Sequence, residues 1–213
     1  MHPFRLVPLL RHALAACALL AITFCAQAAP RTLLVFGDSL SAAYGLSTNQ
    51  GWVHLLGKRA AGLGWRVVNA SISGETTAGG LRRLPGDLKR HQPDVVVIAL
   101  GANDALRGQP IAAIRGNLDK MIQISRKARA EPVLAGMMIP PNYGIDYAAR
   151  FRDLYGELAA RHRIPGVPFL LEGVADKPEL FQPDQLHPVA SAQQRILDNV
   201  WPSIEPLLRK RAS

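Results

Sequence analysis

Ser39 stands in Gly37-Asp38-Ser39-Leu40, at the end of an aliphatic run and inside a tight turn that exposes its hydroxyl. A serine hydroxyl is a weak nucleophile at neutral pH unless a base takes its proton. His187, in Asp184-Gln185-Leu186-His187-Pro188, is a candidate for that base. The proline after it disfavours the αR conformation at the histidine and suits the first position of a helix, so His187 belongs on the loop where the last helix starts. Asp184, three residues earlier, can fold back to accept from one ring nitrogen, which fixes the tautomer and stabilises an imidazolium. Gly74, in Ser71-Ile72-Ser73-Gly74-Glu75, and Asn103, in Gly101-Ala102-Asn103-Asp104, are of the types that hold a negative oxygen. A glycine lets its backbone N–H approach closely, an asparagine amide donates from its side chain, and the N–H of Ser39 is a third donor. Losing one such donor costs on the order of 3 kcal/mol of transition-state stabilisation.

Each residue has a second reading when taken alone. Ser39 suits a helix cap, Asp184 and His187 fit an exposed Asx-type turn, Gly74 fits a loop position needing positive φ, and Asn103 beside Asp104 fits a turn. What favours chemistry is that all four are expected at strand ends. Metal chemistry has less support. His54, His91 and His162 lack a paired ligand spacing, no His-Glu-x-x-His is present, and these three histidines read as surface residues.

The elements that must position these residues alternate along the chain. Near-continuous apolar runs at 32–36, 66–72, 94–100, 133–138 and 167–171 predict strands buried on both faces. Helical spacing marks 51–63, 111–129, 147–161 and 191–208, and a further helix is expected to begin around Leu40, close behind Ser39. Strands joined by helical crossovers are parallel, with right-handed connections. The predicted product is an α/β fold, a three-layer α/β/α flavodoxin-like sandwich on a five-stranded parallel sheet. Such sheets bind ligands beyond the carboxyl ends of their strands, where the candidate blocks lie.

The chain has 213 residues, 48% hydrophobic and 19% charged, with 25 basic against 16 acidic side chains and a net charge of +9. These values fit one globular domain and exclude disordered or collagenous classes. Arg5, Arg11 and His12 precede an apolar run from Ala13 to Cys25, and Ala26-Gln27-Ala28 is a small-x-small cleavage signal. Residues 1–28 therefore read as a secretory leader and 29–213 as a single domain, exported to the periplasm or beyond. A lipid-attachment reading at Cys17 would leave most of the apolar run after the modified residue. Cys17 and Cys25 are the two cysteines of the chain, so the mature part has neither a disulfide nor a thiol nucleophile.

Together the blocks resemble the SGNH, or GDSL, hydrolase family, with its serine, glycine, asparagine and histidine in this chain order. The resemblance implies Ser39 as nucleophile, Asp184 and His187 completing a triad, and Ser39, Gly74 and Asn103 as oxyanion donors. It extends through 36–45, 68–76, 106–108 and 141–144 to the branch of bacterial periplasmic esterases, thioesterases and lysophospholipases, and so covers the mature chain. There are departures: Glu75 where close relatives usually carry aspartate, Ala102 where many carry glycine, and Gln185-Leu186 before the histidine. The implied activity is hydrolysis of acyl esters and thioesters through an acyl-enzyme, with no metal or cofactor. Family resemblance also implies that 104–109 and 140–145 touch the acyl chain, with Asp104, Leu106, Arg107, Pro140, Pro141, Tyr143 and Ile145 as substrate-binding residues.

Three rival functions compare less well. A carbohydrate O-deacetylase of the same fold calls for more aromatic side chains than three Trp and four Tyr. A flavodoxin-like nucleotide or flavin module calls for a phosphate-cradling loop, and Asp38 would repel phosphate there. Nucleic-acid binding calls for basic runs with interleaved aromatics. Arg82-Arg83, Lys89-Arg90 and Arg209-Lys210-Arg211 are instead short and scattered, and read as solvated helix faces and a tail. The expected partner is a small acyl substrate, with at most weak, salt-sensitive contact with a membrane surface, and the expected state is a monomer.

Overall fold

A computed structural model describes residues 31–210; the expected leader and Arg211 lie outside the described residues. Five strands, β1 (Arg31–Gly37), β2 (Trp65–Asn69), β3 (Val95–Ala99), β4 (Glu131–Ala135) and β5 (Gly166–Val167), form one sheet in the order β2-β1-β3-β4-β5. Every pairing is parallel, with Leu33 opposite Val67 on one side and Val95 on the other. The helices are α1 (Trp52–Ala61), α2 (Thr77–His91), α3 (Ala102–Leu106), α4 (Ile111–Lys127), α5 (Ile145–His162) and α6 (Gln193–Lys210). Helices α1 and α6 pack together on one face of the sheet, and α2, α4 and α5 form the other layer, giving the predicted α/β/α sandwich.

Burial explains the central strands. Leu33 to Phe36 of β1 and Val95 to Ala99 of β3 are wholly removed from solvent, which is why these runs carry no polar alternation. Their outward reach ends where polar residues take over. The strand expected over 66–72 stops at Asn69, whose side chain turns aside to donate to Ser41 O at 2.8 Å and to accept the Ser71 N–H at 3.1 Å. The strand expected over 167–171 is cut to Gly166–Val167, because Pro168 follows without an N–H to extend the ladder. The strand expected over 133–138 starts earlier and ends at Ala135.

Helices depart from the sequence pattern in several places, the short unpredicted α3 among them. No helix forms around Leu40; residues 39–45 make hydrogen-bonded turns instead, with Ala42 N donating to Asp38 O and Tyr44 N to Ser39 O. Helix α2 carries Gly79, Gly80, Pro85 and Gly86, poor helix formers that hide it from a periodicity reading. It is held by its cap, the Thr76 hydroxyl accepting the Gly79 N–H at 3.1 Å, and by burial of Leu84 and Leu88. The last helix starts at Gln193 after a short 3-10 turn over Ala190–Ala192.

Three expected surface residues are not simply solvated, among them His91, 23% exposed and 3.9 Å from Asp87. Arg83 is only 24% exposed and pairs with Glu75 and Asp87. His162 pairs with Asp119 at 2.6 Å across α5 and α4, with both side chains largely covered.

Leu34 fills the middle of β1 with no exposure. Leu34→Ala is expected to lower unfolding free energy by about 2–5 kcal/mol through lost burial and a cavity; urea denaturation measures it, and a loss under ~1 kcal/mol would contradict the packing described.

Candidate active site

The chain reverses its order across the sheet at β1, with β2 on one side and β3 on the other, and the loops leaving these carboxyl ends carry the candidate residues. Ser39 follows β1 by two residues, in the turn that replaces the expected helix. His187 and Asp184 come from the loop before α6. Their side chains meet in a line. Asp184 Oδ2 stands 2.7 Å from His187 Nδ1, and His187 Nε2 stands 2.9 Å from Ser39 Oγ. A carboxylate only accepts, so Nδ1 carries the proton, Nε2 is left basic, and the Ser39 hydroxyl donates to it.

The Asp184 carboxylate is held by more than the ring. Its Oδ1 accepts the backbone N–H groups of Leu186 at 2.9 Å and His187 at 3.0 Å. These N–H donors, led by that of His187 and joined by its ring, hold the carboxyl down at about 2, against an ordinary 3.8. So the Asx turn and the carboxylate–imidazole hydrogen bond, alternatives in the sequence, are present together. Tyr44 packs its ring on His187, centroids 4.4 Å apart, and Gln182 fixes that tyrosine by donating to its carbonyl at 2.8 Å. Neither contact had a sequence signal beyond proximity to a block.

Gly74 has φ +77°, the left-handed conformation expected of it, and the space above its Cα is open. The Asn103 amide donates to Glu75 O at 3.0 Å and reaches Asp38 Oδ2 at 3.3 Å, which brings the three strand-end blocks into contact. Asp38 is buried, its Oδ1 accepting the Leu40 N–H at 3.0 Å. Burial pushes its carboxyl up to about 7, against the pull of the Leu40 N–H and the Asn103 amide.

The acyl-contact candidates divide. Arg107, Pro140, Pro141, Tyr143 and Ile145 are exposed on the loops and helix starts that follow β3 and β4, and Leu106 is half-buried against the core. Asp104 differs from expectation: it is buried, and its two oxygens accept the Thr77 N–H at 2.8 Å and the Thr77 hydroxyl at 2.6 Å. The resemblance implied contact with an acyl chain; the buried carboxylate instead ties α2 to α3. Tyr44, Ile72, Met138, Tyr143, Ile145 and Leu186 are the large apolar residues that stay exposed among the described residues, and all lie on loops or helix starts after strand carboxyl ends. No group of three His, Cys, Asp or Glu side chains among the described residues is placed to hold a metal ion.

Residues 35–195 match the model of the GDSL-like lipase/acylhydrolase family. The chain is 53% identical over 184 residues to Esterase TesA of Pseudomonas aeruginosa, covering 85% of this chain and 92% of that one. It is 42% identical over 194 residues to thioesterase 1/protease 1/lysophospholipase L1 of Escherichia coli, covering 89% and 90%. Among solved structures it resembles the psychrotrophic esterase EstA of a Pseudoalteromonas species, inhibited by monoethylphosphonate, with TM-score 0.77, 40% identity, and 84% and 98% of the two chains covered.

The raised Asp38 carboxyl makes a stability prediction. Between about pH 4 and 7 the folded chain keeps a proton that the unfolded chain releases, so this group's contribution falls as pH rises through that window and is constant above it. Asp38→Asn removes the titration, and its unfolding free energy relative to the parent should rise from pH 4 to 7 in urea titrations. A difference that stays flat with pH would contradict the buried, proton-holding Asp38.

Proposed function

The chain belongs to the GDSL-like lipase/acylhydrolase family, and on that footing we propose that it hydrolyses carboxylic esters and thioesters of acyl chains by serine catalysis. The observation that carries the reading is the unbroken Asp184–His187–Ser39 hydrogen-bond line, 2.7 Å and 2.9 Å long, at the carboxyl end of the sheet. In the first step Ser39 Oγ attacks the acyl carbonyl while its proton passes to His187 Nε2. The resulting oxyanion is held by the Ser39 and Gly74 N–H groups and the Asn103 amide, whose long 3.3 Å contact with Asp38 is the one it exchanges for the new charge. Collapse breaks the bond to the leaving alcohol or thiol, which takes the proton from His187 and departs, and the acyl group remains on Ser39. Water then attacks the acyl carbonyl with His187 as base; the acid leaves and the serine hydroxyl is restored. Asp184 stays ionised throughout, its low pKa suited to stabilising the imidazolium.

The acyl chain is received by Leu106, Arg107, Pro140, Pro141, Tyr143 and Ile145, which support this by their positions on loops and helix starts following β3 and β4. The exposed apolar residues at the strand carboxyl ends suit a long-chain substrate. Inhibition of the related EstA by a phosphonate is consistent with a serine that forms tetrahedral adducts. The leader-like residues 1–28 support export, and an exported enzyme meets esters and lysophospholipids more readily than intracellular acyl-CoA.

Ser39→Ala is expected to lower kcat on p-nitrophenyl butyrate by roughly four orders of magnitude or more while the circular dichroism spectrum is unchanged. Asn103→Ala is expected to cost about 10²–10³ in kcat. An active Ser39→Ala variant ends the proposal. p-Nitrophenyl esters of increasing length, run beside lysophosphatidylcholine and acyl-CoA, should show kcat/KM rising with acyl length; preference for acetyl alone would remove the apolar surface from the account.

A further inference from the structure

The loop that bears Gly74 is gripped from behind by one arginine. Arg83 Nε donates to Glu75 Oε2 at 3.1 Å, and Nη1 donates to Ala70 O at 2.9 Å and to Asp87 Oδ2 at 2.6 Å. Its guanidinium carbon lies 4.1 Å from the centre of the Phe36 ring, in the strand residue just before Gly37. Ala70 and Glu75 stand near the two ends of the loop between β2 and α2, so one planar group joins both ends of the loop. A guanidinium suits this task because its fork of donors is rigid and stacks on an aromatic face.

Glu75 in turn occupies a fitted seat. Its Oε1 accepts the Thr76 N–H at 3.1 Å, and the carboxylate lies over Gly79, where a Cβ would overlap Oε1. The backbone carbonyl of the same residue accepts one hydrogen of the Asn103 amide at 3.0 Å. That bond sets the plane of the amide and leaves its second hydrogen with only the long contact to Asp38. An amide held in this way needs little rearrangement to meet a new oxyanion, and donors set in place beforehand are what make such a site effective.

We propose that Arg83 is a positioning residue for the oxyanion site, holding Glu75 so that its carbonyl orients the Asn103 amide and its loop presents the Gly74 N–H. The inference rests on reading Gly74 and Asn103 as oxyanion donors. It also gives a use to Glu75, whose carboxylate reaches both Arg83 and the Thr76 N–H.

The test compares Arg83→Met, Arg83→Lys, Glu75→Gln and the Arg83→Met/Glu75→Gln pair on p-nitrophenyl butyrate, with inhibition by butylboronic acid, whose tetrahedral adduct on serine mimics the oxyanion. Arg83→Met should lower kcat about tenfold or more, less than loss of a donor itself, with KM within about twofold. The boronate inhibition constant should rise in parallel, the pair should lose no more than the worse single variant, and Arg83→Lys should recover only part of the rate. Should Arg83→Met fail to fold, Glu75→Gln decides by the same criteria, since it keeps the side-chain volume and the acceptor for Thr76. Retention of kcat within about twofold, a KM rise that accounts for the loss, or unchanged boronate binding overturns the proposal. Asn103→Ala run alongside separates the two levels: undiminished activity there removes the oxyanion reading itself, whereas its loss with active Arg83 variants removes Arg83 alone.

Discussion

The hydrogen bond between Ser39 and His187 joins residues 148 positions apart, and the rest of the structure serves to keep that one contact at 2.9 Å. Ser39 is placed by β1, which is buried between β2 and β3 and cannot shift without moving the core. His187 is placed by a loop that is closed on itself: Asp184 takes two backbone N–H groups and the ring, and Gln182 N donates to His187 O at 2.8 Å. A rigid sheet on one side and a self-bonded loop on the other fix a distance that a flexible pair would lose to conformational entropy.

Charge is distributed around this contact by burial. Asp184 is 41% exposed, accepts several N–H groups and is strongly acidic. Asp38, next to the serine, is enclosed, and burial raises its pKa despite its hydrogen bonds. Two aspartates of the same site are thus driven in opposite directions by their surroundings, the one by hydrogen bonds to its charged form and the other by desolvation. Raised in this way, the Asp38 carboxyl still accepts from Leu40 and Asn103.

Legibility differed among residues for physical reasons. The strand-end placement of Ser39, Gly74 and Asn103 follows from apolar runs that end abruptly, a signal local to a few residues. Helix α2 was hidden because its glycines and Pro85 oppose helix formation, and only the Thr76 cap and the packing of Leu84 and Leu88 offset them. The absent helix at Leu40 is the reverse case: favourable residues are drawn into turns, where Leu40 N is taken by Asp38 and Trp52 Nε1 donates to Leu40 O. Asp104 was misplaced for a similar reason. The resemblance implied it as a substrate contact, and nothing in its own segment announces Thr77, 27 residues away, as its partner.

The sequence by itself determined the alternation of strand and helix, the parallel sheet, and the residue types at the strand ends, because these depend on periodicity and on backbone preferences that act over a few residues. Tertiary structure alone decided which of those side chains touch. The Arg83 grip on Glu75, the enclosure of Asp38, the ring of Tyr44 against His187 and the pairing of His162 with Asp119 all join segments distant in the chain or depend on what covers them. Such contacts are set by three-dimensional packing, which local spacing does not encode.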